Sequence, residues 1–270
     1  MGMSFEQSRS LATGPMQDRV AELFQAEEPN ELVALAKETL TSASSNPELL
    51  EHLMSIVDRL GADETCLQQA LQAARNVAIH SPAGTELRQR ALASMLKFAE
   101  ALLMQALSRA VEDMCFVAQN ATPEWPVEQQ AMMMWTTLIR MIAMHDPGVA
   151  LALARSTADG ANPGGSVEQM AVASWSDQIV DVSQKEPLKA IASSRYAADY
   201  AEPGSLLERS AVASWLQQID ALARQDIGQA VGAVQEAMRS FRVAGALRQA
   251  ALSKENELLG ATPREAGVGS

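Results

Sequence analysis

The sequence predicts an all-α protein, built as an array of antiparallel helical hairpins that repeat about every 40 residues. Trp135, Trp175 and Trp215 stand 40 residues apart in similar local frames. The segment Ala171–Trp175 also recurs, residue for residue, as Ala211–Trp215. Self-similarity at a fixed period is typical of stacked units that cannot bury their hydrophobic faces alone.

Composition narrows the classes of partner. The 270-residue chain is 47% hydrophobic and 20% charged, which predicts a soluble, folded protein with a sizeable core. Its formal net charge of −12 opposes binding to nucleic acid and to anionic membranes, because both require an excess of Lys and Arg. No apolar run approaches the roughly 20 residues that span a bilayer. We therefore expect neither a nucleic-acid partner nor membrane insertion.

The amino-terminal region, residues 15–120, is predicted to consist of helical hairpins that precede the clear repeats. Residues 1–14 are polar and lack helical periodicity, so we interpret them as a flexible arm. Short helices are then predicted at 16–27 and 30–42.

Another hairpin is predicted from Pro47 to Leu60 and from Glu64 to Ile79, with Gly61 as the stop between them. Residues 84–120 contain no proline and no internal glycine. They predict either one long helix or two helices with a break near Gln105.

Residues 121–162, 163–202 and 203–241 are predicted to be three copies of one hairpin. In the last copy, Ser205 and Glu208 form a capping box, in which a hydroxyl and a carboxylate satisfy amide groups at a helix start. An apolar stripe with helical spacing follows in each copy. It comprises Ala131, Met132, Trp135, Ile139 and Ile142; Ala171, Val172, Trp175, Ile179 and Val182; and Ala211, Val212, Trp215, Ile219 and Leu222. We expect the tryptophans to form core rather than a ladder of ligand-binding side chains.

The second helix of each copy is rich in alanine and begins at Pro147, Pro187 or Ile227. Proline is tolerated in a first turn, and small side chains allow neighbouring helix axes to approach closely. A C-terminal helix over residues 242–259 and a flexible tail over 260–270 complete the predicted chain.

Two helices in about 40 residues resemble the HEAT/armadillo class of helical repeats in period and layout. The resemblance implies an α–α superhelix, and a right-handed helical solenoid is the other arrangement that we expect. Either arrangement would present an extended surface that suits the binding of other proteins.

No motif in the sequence indicates catalysis. His52, His80 and His145 are scattered, and none has a His or Cys partner at the spacing that metal-binding helices display. We predict no catalytic residue, no metal and no cofactor.

The repeated glutamates Glu128, Glu168 and Glu208 each lie seven residues before a tryptophan. Paired-carboxylate catalysis needs an enclosed site, whereas a helix first turn is open to solvent. We therefore interpret these residues as helix caps that also interact favourably with the helix dipole.

One helix, Pro126–His145, is predicted to be apolar on two faces. Met134, Leu138 and Met141 share a face that is distinct from the core stripe, and His145 continues it. These four residues are the candidate partner-binding face, suited to an amphipathic helix because methionine surfaces adapt to their partners. The alternative is that the 84–120 segment or the C-terminal helix covers this face.

These features favour a non-enzymatic helical-repeat protein that binds a partner protein, as an adaptor, a regulator or a bacterial secreted effector. The alternatives are a homo-oligomeric structural protein and an enzyme whose site is assembled from dispersed helix residues. We expect a cytoplasmic location, with secretion through a specialised bacterial system as the alternative. Cys66 and Cys115 are expected to be buried thiols of a reducing compartment, although one disulfide is the other reading.

Overall fold

The structure, a computed structural model, describes residues 47–103, 107–123, 125–239 and 245–261. Within these ranges the chain is helical and has no β-strand, which confirms the predicted all-α class. The helices are α1 (Pro47–Leu60), α2 (Leu67–His80), α3 (Glu86–Ala101), α4 (Leu107–Asn120), α5 (Pro126–His145), α6 (Pro147–Asp159), α7 (Ser166–Lys185), α8 (Pro187–Tyr200), α9 (Leu206–Ala223), α10 (Ile227–Met238) and α11 (Ala246–Ala261). A short 3₁₀ helix, Glu64–Cys66, precedes α2.

The chain falls into two compact units, one ending at Trp135 and the other beginning at Thr136, so that the division lies inside α5. In the first unit, α1 packs against α2 and α3, and α3 also packs against α2 and α4. In the second unit, each helix from α6 to α11 packs against the next, and α9 also contacts α7 and α11. None of the described helices combines the length and hydropathy needed to cross a bilayer.

The predicted apolar stripe forms the core. Trp135, Trp175 and Trp215 are at most 1% exposed, which confirms their assignment to the core. The alanines four residues earlier, at 131, 171 and 211, are fully buried as well. The second helices follow the same register, since Ala150, Ala190 and Ala230 are also fully buried.

The 40-residue register also extends upstream, to helix α3, where the sequence analysis did not find it. Ala91 and Met95, which are 40 residues before Ala131 and Trp135, are fully buried. The Thr85 hydroxyl caps α3 by accepting from the Arg88 amide, as the Ser205 hydroxyl caps α9. The repeat is therefore a property of burial and turn geometry, and it tolerates methionine in place of tryptophan.

The loops between hairpins share a backbone conformation. Gly164 and Gly204, 40 residues apart, have φ angles of 76° and 79°, in the left-handed region that favours glycine. Gly84, before α3, has a φ of 77°. These three glycines fix the turns that precede α3, α7 and α9.

The repeated glutamates correct one expectation, because Glu128, Glu168 and Glu208 are buried rather than open to solvent. The Glu168 carboxylate accepts hydrogen bonds from the Gly164 amide at 2.6 Å and, one repeat later, from the Leu206 amide at 3.0 Å. Glu168 thus satisfies backbone donors in its own loop and ties that loop to the start of α9.

We expect Glu168→Ala to lower the free energy of unfolding by about 1.5–3 kcal/mol, because it leaves two backbone donors without their charged acceptor. Chemical denaturation measures the loss. Glu202→Ala, a change at an exposed position of the same kind of loop, is the matched control. An effect of Glu168→Ala no larger than that of the control would contradict the tie between repeats.

The remaining predictions on chain organisation fall partly outside the described residues. The arm at 1–14, the helices at 16–27 and 30–42, and the tail beyond 261 lie there. Over residues 84–120, the two-helix alternative is correct, since α3 ends at Ala101 and α4 begins at Leu107. The C-terminal helix continues to Ala261, past the predicted end at residue 259.

Candidate partner-binding groove

The structure separates the four residues of the candidate partner-binding face by their exposure. Leu138 is buried, with 3% of its surface exposed, and Met134 is half-buried. Met141 is 40% exposed, and His145 is exposed at the end of α5. The carboxyl-terminal end of this face is thus accessible, whereas its middle is covered.

An open groove of about 810 Å³ lies in the second unit, between the carboxyl-terminal half of α5 and helix α7. Thr136, Arg140 and Met144 line it from α5. Its α7 wall includes Met170, Ala173, Ser174, Asp177, Gln178, Val180, Asp181 and Lys185. Ser174, Gln178 and Asp181 stand 40 residues after Met134, Leu138 and Met141, so the groove uses the same helix phase one repeat later.

The groove combines apolar and charged surface. Met144 and Val180 are exposed large apolar side chains, at 76% and 49%. Arg140, Asp177, Asp181 and Lys185 are exposed, and among the described residues none of them forms an ion pair. Their charges are therefore available to a bound molecule.

An ion pair joins helices α9 and α11. Lys254 of α11 is buried and forms ion pairs with Asp220 of α9 and with Glu257, the latter at 2.8 Å. Burial opposes the charged form of Lys254, but the hydrogen bonds to Asp220 and Glu257 outweigh it and raise the pKa of this amine above its ordinary value. Lys254 therefore stays charged where the two helices meet.

A second surface feature, a pair of exposed aromatic side chains, lies on α8. The rings of Tyr196 and Tyr200 are both exposed, and their centroids lie 4.4 Å apart. The Arg155 guanidinium lies 4.6 Å from the centroid of the Tyr196 ring, a cation–π contact between α6 and α8. Arg195 pairs with Glu236 of the next hairpin. The repeated arginines, Arg155 and Arg195, thus make contacts between hairpins.

Buried ionisable chemistry in the first unit centres on Asp113. Its carboxylate is paired with Arg75 at 3.2 Å. Burial raises the pKa of Asp113, and the positive charges of Arg75 and Arg109 oppose that rise. The adjoining cavity, which Arg109 and Asp113 help to line, measures about 10 Å³. That is space for about one water molecule and not for a substrate.

The structure also bears on the predicted absence of a metal site and on the state of the two cysteines. In the part of the chain that it describes, no group of three or more His, Cys, Asp or Glu side chains is placed to hold a metal ion. Cys66 is buried, Cys115 is half-buried, and the two are not joined in a disulfide.

Sequence reasoning did not single out Arg140, Ser174 or Asp177 as site residues. A signal was present in the repeat alignment, because position 140 carries Arg where the next two copies carry Val180 and Asp220. Which face of α7 turns toward α5 could be known only from the packed structure.

Comparisons with known proteins assign no family. No protein-family model matches the chain, and no curated protein shows significant similarity to it. One matching solved structure comes from work titled "Computational Design of Self-Assembling Cyclic Protein Homooligomers". The match has 12% identity and a TM-score of 0.26, over 90% of this chain and 95% of that chain.

Proposed function

We propose that this protein is a non-enzymatic helical-repeat module that binds a segment of a partner protein in the groove between α5 and α7. The observation that carries the proposal is that the groove combines exposed apolar side chains with charged ones. Exposed Met144 and Val180 lie beside charged side chains that have no ion-pair partner among the described residues. Apolar contact area with unpaired charges around it suits recognition of a protein surface.

The partner segment that best fits is an amphipathic α-helix. The groove is bounded by two helices, and a third helix can fill the space between them by ridge-into-groove packing. Methionine side chains at Met144 and Met170 can adapt to the shape of the incoming residues.

The proposed function also includes the overall architecture and the cellular location. A HEAT/armadillo-like stack of hairpins would present this groove on an extended surface, as adaptors and regulators do. Cys66 and Cys115, which form no disulfide with each other, are compatible with a cytoplasmic location. A secreted bacterial effector would need the same groove for a host protein.

Self-association is the second candidate function. Leu252 and Leu259 of α11 are 48% and 54% exposed, although they are 40 residues after Val212 and Ile219, which belong to the apolar stripe of α9. A second copy could cover them. Light scattering on the wild type and on the double variant Leu252→Ser, Leu259→Ser tests this, because an unchanged monomer mass in both would remove the candidate.

We expect Val180→Glu to weaken partner binding at least about tenfold, because it places a charge where an apolar contact forms. The wild type is used to recover partners from cells that produce the protein. The recovered partner is then purified, and its affinity for each variant is measured by calorimetry.

Val149→Glu is the matched control. Val149 is similarly exposed, at 42%, but lies in the first turn of α6 and does not line the groove. Both variants should keep the wild-type melting temperature within a few degrees. Equal binding losses in the two variants, or no loss with Val180→Glu, would refute the groove as the binding site.

A further inference from the structure

The 40-residue repeat gives neighbouring first helices equivalent pairs of residues. Asp220 on α9 and Lys254 on α11 form an ion pair, and Lys254 follows Asp220 by 34 positions. Arg140 and Ser174 have the same separation and stand 80 residues earlier, on α5 and α7. Arg140 and Ser174 therefore occupy, at the groove, the positions that Asp220 and Lys254 occupy in the ion pair between α9 and α11.

At the groove, Arg140 has no acidic partner at the equivalent position. Ser174 has a short, neutral side chain that is buried, with 7% of its surface exposed, and its hydroxyl makes no hydrogen bond within the described residues. Asp177 and Asp181 line the same wall, yet neither comes within 4.0 Å of the Arg140 guanidinium. An arginine that lacks its acidic counterpart thus faces a space of about 810 Å³.

We propose that Arg140 and the Ser174 hydroxyl form a carboxylate-binding subsite in this groove. The occupant is an amphipathic helix of a partner protein that inserts an Asp or Glu side chain between them. Arginine can hold a carboxylate through two parallel N–H···O bonds, and the hydroxyl supplies a third donor. This proposal rests on the proposed function and specifies the chemistry of the partner.

The other charges of the groove constrain the partner further. Asp177 and Asp181 would repel a partner segment that carried only acidic residues. A basic side chain one helical turn from the inserted carboxylate would face them, three or four residues away in the partner sequence. Aliphatic residues on the same face would contact Met144 and Val180. The partner motif is therefore an acidic and a basic residue separated by one turn, beside an apolar stripe.

A selection experiment reads this motif directly. A displayed library of 20-residue helical peptides, randomised on one face, is selected on the wild-type protein and depleted on Val180→Glu. Enriched peptides are synthesised, and their affinities are measured by fluorescence anisotropy against Arg140→Ala, Ser174→Asp and Ser214→Asp. The exposed Arg140 side chain can be removed without loss of core packing, so Arg140→Ala carries the test. Ser174 is buried, and the affinity of Ser174→Asp is therefore compared only alongside its melting temperature.

We expect enriched peptides to carry Asp or Glu at a fixed position and to bind Arg140→Ala at least about tenfold more weakly than the wild type. Ser174→Asp should weaken binding to a similar extent, because it offers Arg140 an internal carboxylate. Ser214→Asp, at the equivalent position of α9, is the control, because Ser214 is half-buried and does not line the groove, and it should leave the affinity within about twofold.

The outcomes separate this inference from the proposed function. Peptides that are sensitive to Val180→Glu but lack a fixed acidic residue, or that bind Arg140→Ala as tightly as the wild type, would overturn the carboxylate subsite and leave the groove as the binding site. Failure to enrich any peptide that depends on Val180 would overturn both.

Discussion

Trp175→Ala is expected to lower the free energy of unfolding by about 3–5 kcal/mol, the largest loss that we expect from a single change in this chain. Trp175 is 1% exposed and lies in the apolar stripe of α7, between Ala171 and Ile179. Truncation removes buried apolar area and leaves a cavity that neighbouring helices can fill only in part. Urea denaturation followed by circular dichroism measures the loss.

Trp125→Ala is the control for this change. Trp125 is the remaining tryptophan of the chain, is 39% exposed and lies just before α5. Its truncation should cost clearly less than that of Trp175, because more than a third of the Trp125 surface is already in contact with water and no closed cavity is left. A melting temperature unchanged by Trp175→Ala, together with lost partner binding, would instead make the tryptophans ligand-binding residues.

The stripe needs the volume of tryptophan more than its hydrogen-bonding group. The indole N–H groups of Trp135 and Trp215 are buried and have no hydrogen-bond partner in the described part of the chain. Met95 fills the same register position in α3 with no polar group at all. Trp175→Met should therefore cost less than Trp175→Ala, and a cost as large would show that the indole shape itself is required.

The sequence predicted best those features that repeat through packing. The tryptophan stripe and the alanines of the second helices were found because identical surroundings demand similar side chains every 40 residues. The copy at α3 was missed because Met95 satisfies the same demand without the tryptophan signature. The burial of Glu168 was also missed, since its second backbone partner, Leu206, lies 38 residues along the chain.

The candidate site was harder to predict, because exposure depends on where neighbouring helices lie. Helical spacing predicted that Met134, Leu138 and Met141 share one face but could not tell which of them would be covered. Recognition of Arg140 needed the facing position on α7, which periodicity within a single helix does not provide.

Leu138→Ala is expected to destabilise the protein by about 2–5 kcal/mol, whereas Met141→Asp should change stability by less than about 1 kcal/mol. Leu138 is 3% exposed and Met141 is 40% exposed, although one helical turn separates them. Thermal melts of the two single variants give the comparison directly. Similar costs for both would contradict the difference in burial.

Variants of this face distinguish a role in internal packing from a role in partner binding. The triple change Met134→Ser, Leu138→Gln, Met141→Asp should lose stability mainly through Leu138, because that side chain alone among the three is fully withdrawn from solvent. Met141→Asp by itself leaves the core intact and reports on recognition. A stable Met141→Asp protein that binds its partner normally would confine recognition to the α5–α7 groove. Weakened binding with unchanged stability would instead extend the binding surface from the groove along α5 to Met141 and His145.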